Sequence, residues 1–232
     1  FGCVTSATIT TRILSSEREK TIATALLQFV VPCSAQLAVI AALMTGAGFR
    51  ALMIYIFTIF LVLVLLGTIL NKVLHGSPTP LLLELPPIRL PRLENIVRKT
   101  FMRSYHFMKE ATVWFFVGAL AVSIAKIIGF LDLLRELLRP ITVYWLQLPG
   151  ETATAFIMGV VRRDFGAAGL YHLPLTPFQI TVALIVITLF VPCIASLMIM
   201  IKERGPKVGI LIWIGTWIVA FTVGGIVSQI II

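Results

Sequence analysis

Charge is scarce in this chain. Asp, Glu, Lys and Arg make up 12% of its 232 residues, about half the ~25% usual in a soluble domain. With 59% hydrophobic residues and a mean hydropathy of +1.02, the sequence reads as an integral membrane protein with several spans. Cysteine is scarce too. Only Cys3, Cys33 and Cys193 are present, two of them inside apolar runs, which excludes a disulfide framework. No basic stretch precedes an apolar one at the start, so no signal peptide is read there. The opening "FGCVTSATITTR" reads instead as the interior of a longer protein. There is no nucleophile triad, zinc-protease helix, pair of catalytic carboxylates or phosphate loop, so no catalytic residues are expected. The net charge of +9 does not call for nucleic acid, because Lys and Arg collect in cytoplasmic loops and set topology.

What is present is apolar length. Residues 21–44 and 51–70 predict a helical hairpin across the Gly-rich turn "TGAGFR". Residues 71–110 predict a basic cytoplasmic linker, Pro-rich between 78 and 91, then an amphipathic helix from Leu93 with Ile96, Val97, Phe101 and Tyr105 near one face. Residues 111–149 predict a third span, with Lys126 snorkelling at its end, and an interfacial helix carrying Tyr144 and Trp145. Between 150 and 163 only the stretch from Thr152 to Val161 is apolar, half a span, which predicts a re-entrant or broken helix. "DFGAAGLYHLPLTP" reads as a Gly- and Pro-punctuated connection, followed by spans at 178–201 and 208–232. The fold class expected is an all-α polytopic membrane protein, with about five full spans and two short half-helices.

One heptad-length phrase occurs twice. Val-Pro-Cys-x-Ala-x-Leu stands at Val31–Leu37 and again, 160 residues later, at Val191–Leu197. Each proline removes a helix donor and frees a carbonyl. Each cysteine puts a sulfur beside the break. Ahead of each copy lies a short stretch opening on Gly and closing on Arg: Gly2–Arg12 and Gly150–Arg162. Two repeats follow, 1–70 and 150–232, each a half-helix, a Pro-Cys span and a second span. Paired Pro-interrupted segments in two halves are the sequence mark of a transporter site. Keeping the basic turn "KERGPK" inside favours re-entry of 151–163 and inversion of the second half.

Cys33 and Cys193 are the first candidate ligands. Sulfur suits Fe(II), Cu(I) and Zn(II) rather than Mg(II) or Ca(II), although cysteine is also a small apolar filler. Glu151 is the second candidate, as oxygen ligand or proton carrier, or else as a first-turn acid at a helix start. Cys3 is a third sulfur. Ser34, Ser196 and Met198 flank the breaks as secondary candidates, with methionine equally a packing residue. His75, His106 and His172 share no metal-ligand spacing and read as interfacial.

Taken in order, "FGCVTSATITTR", "VPCSAQL", "LPGETATAFIMGVVRRDFGAAGLY" and "VPCIAS" resemble the membrane region of FeoB, the prokaryotic ferrous iron transporter family. "ELPPIRLPRLENIVRKTFMRSYHFMKEA" resembles that family's basic linker. The resemblance implies two gate regions, with Cys33, Cys193, Cys3 and Glu151 at the positions of the iron path. It implies Fe(II) as the transported ion in a prokaryotic inner membrane. It also implies a cytoplasmic GTP-binding domain (with GTP and Mg) elsewhere in the parent protein, a small cytoplasmic accessory protein and a homo-oligomer as partners beside the lipid bilayer. Ser6 departs from the family, where proline is common. The alternative is a nucleoside-type solute transporter on the same gate repeats, with Glu151, Gln36 and Thr152 as hydrogen-bonding groups and the cysteines as packing.

Overall fold

The computed structural model describes residues 2–74, 93–161, 163–171, 173–190 and 193–231. The Pro-rich linker with His75, and also Arg162, His172 and the second proline, Pro192, lie outside the described residues. Helix is the only regular secondary structure among the described residues. Among the described residues four runs are long and apolar enough to cross a membrane: Glu17–Ala47, Phe49–Val73, Pro177–Arg204 and Pro206–Ile231.

The first run is broken where the proline requires it. Helix α1 (Val4–Thr10) leads through a 3-10 turn (Thr11–Ile13) to α2 (Glu17–Phe29), which ends three residues before Pro32. Cys33, extended at φ −78° and ψ 163°, is the N-cap of α3 (Ser34–Ala47). The lost hydrogen bond is replaced across the chain: the Ser34 N–H and hydroxyl both donate to the Gly2 carbonyl at 3.0 Å. Gly48, at φ 89°, turns the chain into α4 (Phe49–Val73). On α4 only the stripe Ala51, Tyr55, Thr58 and Val62 is buried, and Phe57, Phe60, Val64 and Leu65 face outward, as lipid contact demands.

Helix α5 (Leu93–Ile127) is a single 35-residue helix. The sequence reading divides it at 110 into a surface helix and a span. Without a proline between 93 and 127 nothing stops the helix there. At ~1.5 Å per residue it is about 52 Å long, more than a ~30 Å hydrocarbon layer, so its basic first half projects beyond its apolar second half. Amphipathic α6 (Phe130–Pro140) and a π-turn (Ile141–Trp145) follow.

Helix α7 (Thr152–Val161) is the expected half-span. The segment after it is not an irregular connection, however. Residues Arg163–Gly169 form α8, packed back against α7. A Cβ on Gly166 would sit 2.8 Å from Gly159 Cα, and one on Gly169 would sit 3.2 Å from Ala155 Cβ. The glycines read as punctuation in the sequence are a close helix–helix contact. The pair is a re-entrant hairpin.

Helix α9 (Pro177–Phe190) is buried on every side from Thr181 to Phe190 and forms the centre of the bundle. Cys193 is the N-cap of α10 (Ile194–Arg204), with an extended backbone (φ −59°, ψ 158°) like that of Cys33. Gly205, at φ 82°, turns the chain into α11 (Pro206–Ile231). Gly209, Gly224 and Gly225 let α11 approach its neighbours closely.

These bounds set the register of the repeat. At the 160-residue spacing α1 matches α8, α2 matches α9, α3 matches α10 and α4 matches α11. The pairing of Gly2–Arg12 with Gly150–Arg162 is therefore corrected: α1 corresponds to α8, and α7 has no counterpart within residues 1–74. Contacts are reciprocal, as across a two-fold axis. Helix α1 packs on α10 and α8 on α3; α4 packs on α9 and α11 on α2. Gln28 meets Ser196, and Gln36 meets Thr188. One number rises as the other falls, so the two broken helices cross antiparallel and the second half is inverted. The end that gathers Arg12, Arg18, Lys20, Lys72, Lys202, Arg204 and Lys207 is then the cytoplasmic one.

Candidate functional site

The breaks capped by Cys33 and Cys193 lie at one crossing: Gln28 and Gln36, on either side of the first, meet Ser196 and Thr188, on either side of the second. A buried polar seam runs from them to the cytoplasmic end. The Ser196 hydroxyl, one turn into α10 from Cys193, donates to Gln28 Oε1 at 2.7 Å. Gln28 Nε2 donates to Thr8 Oγ1 at 3.1 Å, and Thr8 donates to the Val4 carbonyl at 2.9 Å. One turn further out Thr11 lies 3.4 Å from Thr24. Arg204 closes the series: its guanidinium donates to Thr11 at 2.8 Å, to Thr24 at 3.4 Å and to Glu17 at 3.1 Å. Arg12 and Glu203 form a bidentate pair beside it. Each hydroxyl and amide in the seam is buried, so each must find a partner inside the protein.

The other side of the crossing is less complete. Thr188 donates to the Leu184 carbonyl at 2.7 Å, so its lone pairs accept the Tyr55 hydroxyl at 3.0 Å. Only the amide nitrogen of Gln36 can then face Thr188, and it does so at 3.5 Å, a long bond. Among the described residues Gln36 Oε1 has no hydrogen-bond partner, and neither have Thr152 Oγ1 and Trp217 Nε1.

Cys33 and Cys193 are half-buried N-caps and Cys3 is an exposed one; none is in a disulfide. The Gly2–Ser34 hydrogen bonds bring the Cys3 and Cys33 backbones together. Cys3, Ser6, Thr11 and Pro32 line one cavity of about 710 Å³. Cys193 joins this neighbourhood through Ser196, Gln28 and Thr8. Met198 is half-buried on α10. Glu151 is not with the sulfurs. It is exposed, at the opposite end from Arg204, in a cavity of about 670 Å³ with Asp132, Glu136, Arg135 and Arg139. Among the described residues no three Cys, His, Asp or Glu side chains converge to hold a metal ion. His106 stacks edge-on to Tyr105, away from the crossing.

Two family models match adjoining stretches in the middle of the chain. The one described as ferrous iron transport protein B C terminus matches residues 51–103. The Gate model, described as nucleoside recognition, matches residues 108–207. Three curated relatives carry the name "Fe(2+) transporter FeoB". The protein from Methanocaldococcus jannaschii is 24% identical over 99% of this chain and 40% of its own length. That from Staphylococcus aureus is 25% identical over 88% and 35%. That from Legionella pneumophila is 33% identical over 57% and 17%. The chain is similar to the FeoB membrane region over nearly its whole length. It spans less than half the length of these relatives. No solved structure matches it.

Within this membrane region, sequence reasoning missed Thr8, Thr11, Thr24, Gln28, Thr188 and Arg204. A signal was present. Continuing the repeat five residues upstream of each cysteine reaches Gln28 and Thr188, polar positions inside apolar runs.

Proposed function

We propose that this chain is the permease core for ferrous iron uptake across a prokaryotic plasma membrane. The observation that carries the reading is the antiparallel crossing, which sets two Pro-Cys N-caps at the head of one buried polar seam. The cation approaches through the acidic side of the Glu151 cavity. At the crossing it exchanges water for sulfur from Cys33 and Cys193 and for the carbonyls freed by the prolines. Cys3, Ser34, Ser196 and Met198 flank that step. The path leaves along Thr8, Thr11 and Thr24 toward the Arg204 network, which closes the cytoplasmic end in this conformation. A GTP-binding domain of the parent protein would act on that end through the basic linker. A small accessory protein and self-association would modulate it.

The test is uptake. Cys193→Ser, alone and with Cys33→Ser, is expected to slow Fe(II) uptake into cells about tenfold, the scale on which metal sites respond to altered ligation. Wild-type rates in both variants would remove the sulfur path. One observation favours a second reading, a nucleoside-type solute: Gln36 and Thr152 are the two side-chain oxygens buried without partners. Protection of Cys193 from a thiol reagent separates the two. Fe(II) protects under the first reading and uridine under the second.

A further inference from the structure

We propose that Gln36 Oε1 is the oxygen that receives the transported cation at the crossing of the two broken helices, the hard partner to the cysteine sulfurs. The inference rests on the transport reading above and adds a residue that sets its specificity.

The argument starts from the orientation of the amide. The hydroxyl proton of Thr188 is committed to the Leu184 carbonyl, and its oxygen accepts from Tyr55. The same oxygen can accept a further proton and cannot donate one. The Gln36 nitrogen must therefore face it, and the carbonyl oxygen is turned away from Thr188. Gln36 has no solvent exposure, and among the described residues Oε1 finds no hydrogen-bond partner. A buried orphan acceptor is costly, and native proteins keep few of them. This one stands one helical turn from Cys33, beside a break that lies midway along a membrane-crossing run.

The pseudo-symmetric position shows that the orphan is not forced by the fold. Ser196 lies at the same distance after its cysteine as Gln36 after Cys33. It meets the amide of Gln28 at 2.7 Å, and that amide is satisfied at both ends. The second clamp likewise pairs one glutamine with one hydroxyl, Gln36 with Thr188, but there the hydroxyl is already committed and the amide oxygen is left over. Sulfur alone favours Cu(I) and Zn(II), and oxygen alone favours Mn(II) and Mg(II). A path offering both suits Fe(II), which lies between them.

The experiment uses the full-length protein in cells, with initial uptake of Fe(II) and of Mn(II) measured against concentration and surface expression quantified. Gln36→Met keeps the side-chain length and removes the amide. It is expected to cut Fe(II) uptake about tenfold, the cost of one hydrogen-bond-strength contact to a charge. Gln36→Glu keeps an oxygen and hardens it, and the Fe(II) to Mn(II) uptake ratio should fall at least about threefold toward Mn(II). A merely structural glutamine would change both ions alike, and equal losses would overturn the proposal, as would wild-type uptake in Gln36→Met. Where Gln36→Glu fails to reach the membrane, Gln36→Asn retracts the oxygen by one methylene; an unchanged ion ratio in that variant also overturns it. Wild-type protein that moves no Fe(II) would sink the transport reading instead. Wild-type transport that depends on Cys193 and is indifferent to Gln36 would sink only this inference.

Discussion

The two ends of the bundle, exchanged by the pseudo-two-fold axis, are built from equivalent helices and filled with opposite chemistry. At the cytoplasmic end α10 brings Glu203 and Arg204 against α1 and α2, where Arg12, Thr11, Glu17 and Thr24 receive them. At the outer end the equivalent surface is α3 against α8 and α9. There Leu43 and Met44 stand where the other repeat has Glu203 and Arg204, and Tyr171, Pro177 and Leu184 stand for Thr11, Glu17 and Thr24. Leu43, Met44 and Leu184 are all buried. Repetition of the backbone fixed the crossing without fixing the character of either closure. One end is held by charge and hydrogen bonds, which water can exchange, and the other by apolar packing, which water cannot. The charged end is the one that opens more readily to water.

Exchanging the chemistry between the ends is the hardest test of that contrast. Met44→Arg puts a guanidinium among apolar neighbours, and an unpaired buried charge costs about 3–5 kcal/mol or more. The variant should fail to accumulate as folded protein in detergent, judged by gel filtration. Arg204→Met at the equivalent place leaves no lone buried charge: the exposed Glu17 stays hydrated, and Thr11 and Thr24 can re-pair with each other. It should fold and label faster with a thiol reagent at Cys3. If Met44→Arg is tolerated as well as Arg204→Met, the outer end is not dry.

A middle-sized effect separates the two amides at the crossing. Gln28→Met leaves the buried Ser196 hydroxyl without its acceptor, a loss of about 1–3 kcal/mol. Gln36→Met gives up a 3.5 Å bond and an orphan oxygen, and Thr188 keeps its bonds to Leu184 and Tyr55, so no buried group loses its last partner. Thermal unfolding in detergent should therefore show a clear drop for Gln28→Met and a change within about 0.5 kcal/mol for Gln36→Met, as is usual where no named interaction is lost. Equal destabilisation would mean that the two clamps are equally strong and that Gln36 is a structural group.

Much of this was legible in the sequence because it rests on local chemistry. Proline cannot continue a helix, so the break before Cys33 follows from Pro32. Ten apolar residues cannot span, so α7 follows from the stretch between Thr152 and Val161. Away from the Pro-Cys phrase the repeat was not legible from residue type. The matching pairs Thr8 and Ala168, Thr11 and Tyr171, and Glu17 and Pro177 have nothing in common, and only the helix bounds, set at the 160-residue spacing of that phrase, reveal them. Helix α8 was hidden because its glycines serve a contact with α7 and resemble turn residues. The seam was hidden because its partners are far apart along the chain: 168 positions separate Gln28 from Ser196 and 193 separate Thr11 from Arg204. Nothing in either local stretch says which polar residue waits on the other side.

The smallest effect probes the one place where the repeats agree in shape but not in register. Gly48 and Gly205 both reverse the chain at positive φ with extended ψ, 89° and 170° against 82° and 160°. The second turn comes three residues earlier in its repeat, since α10 has 11 residues and α3 has 14. A Cβ at either glycine meets nothing within 4 Å, so alanine is penalised by backbone conformation alone, at about 1–3 kcal/mol. Gly48→Ala and Gly205→Ala should therefore lower stability by the same amount, in mixed-micelle unfolding, and leave Fe(II) uptake per folded molecule unchanged. An unequal cost would show that the shorter arm at Gly205, tied to Arg204 and Glu203 next to it, resists the turn more tightly than the apolar arm at Gly48, and that the charged closure stiffens its own hinge.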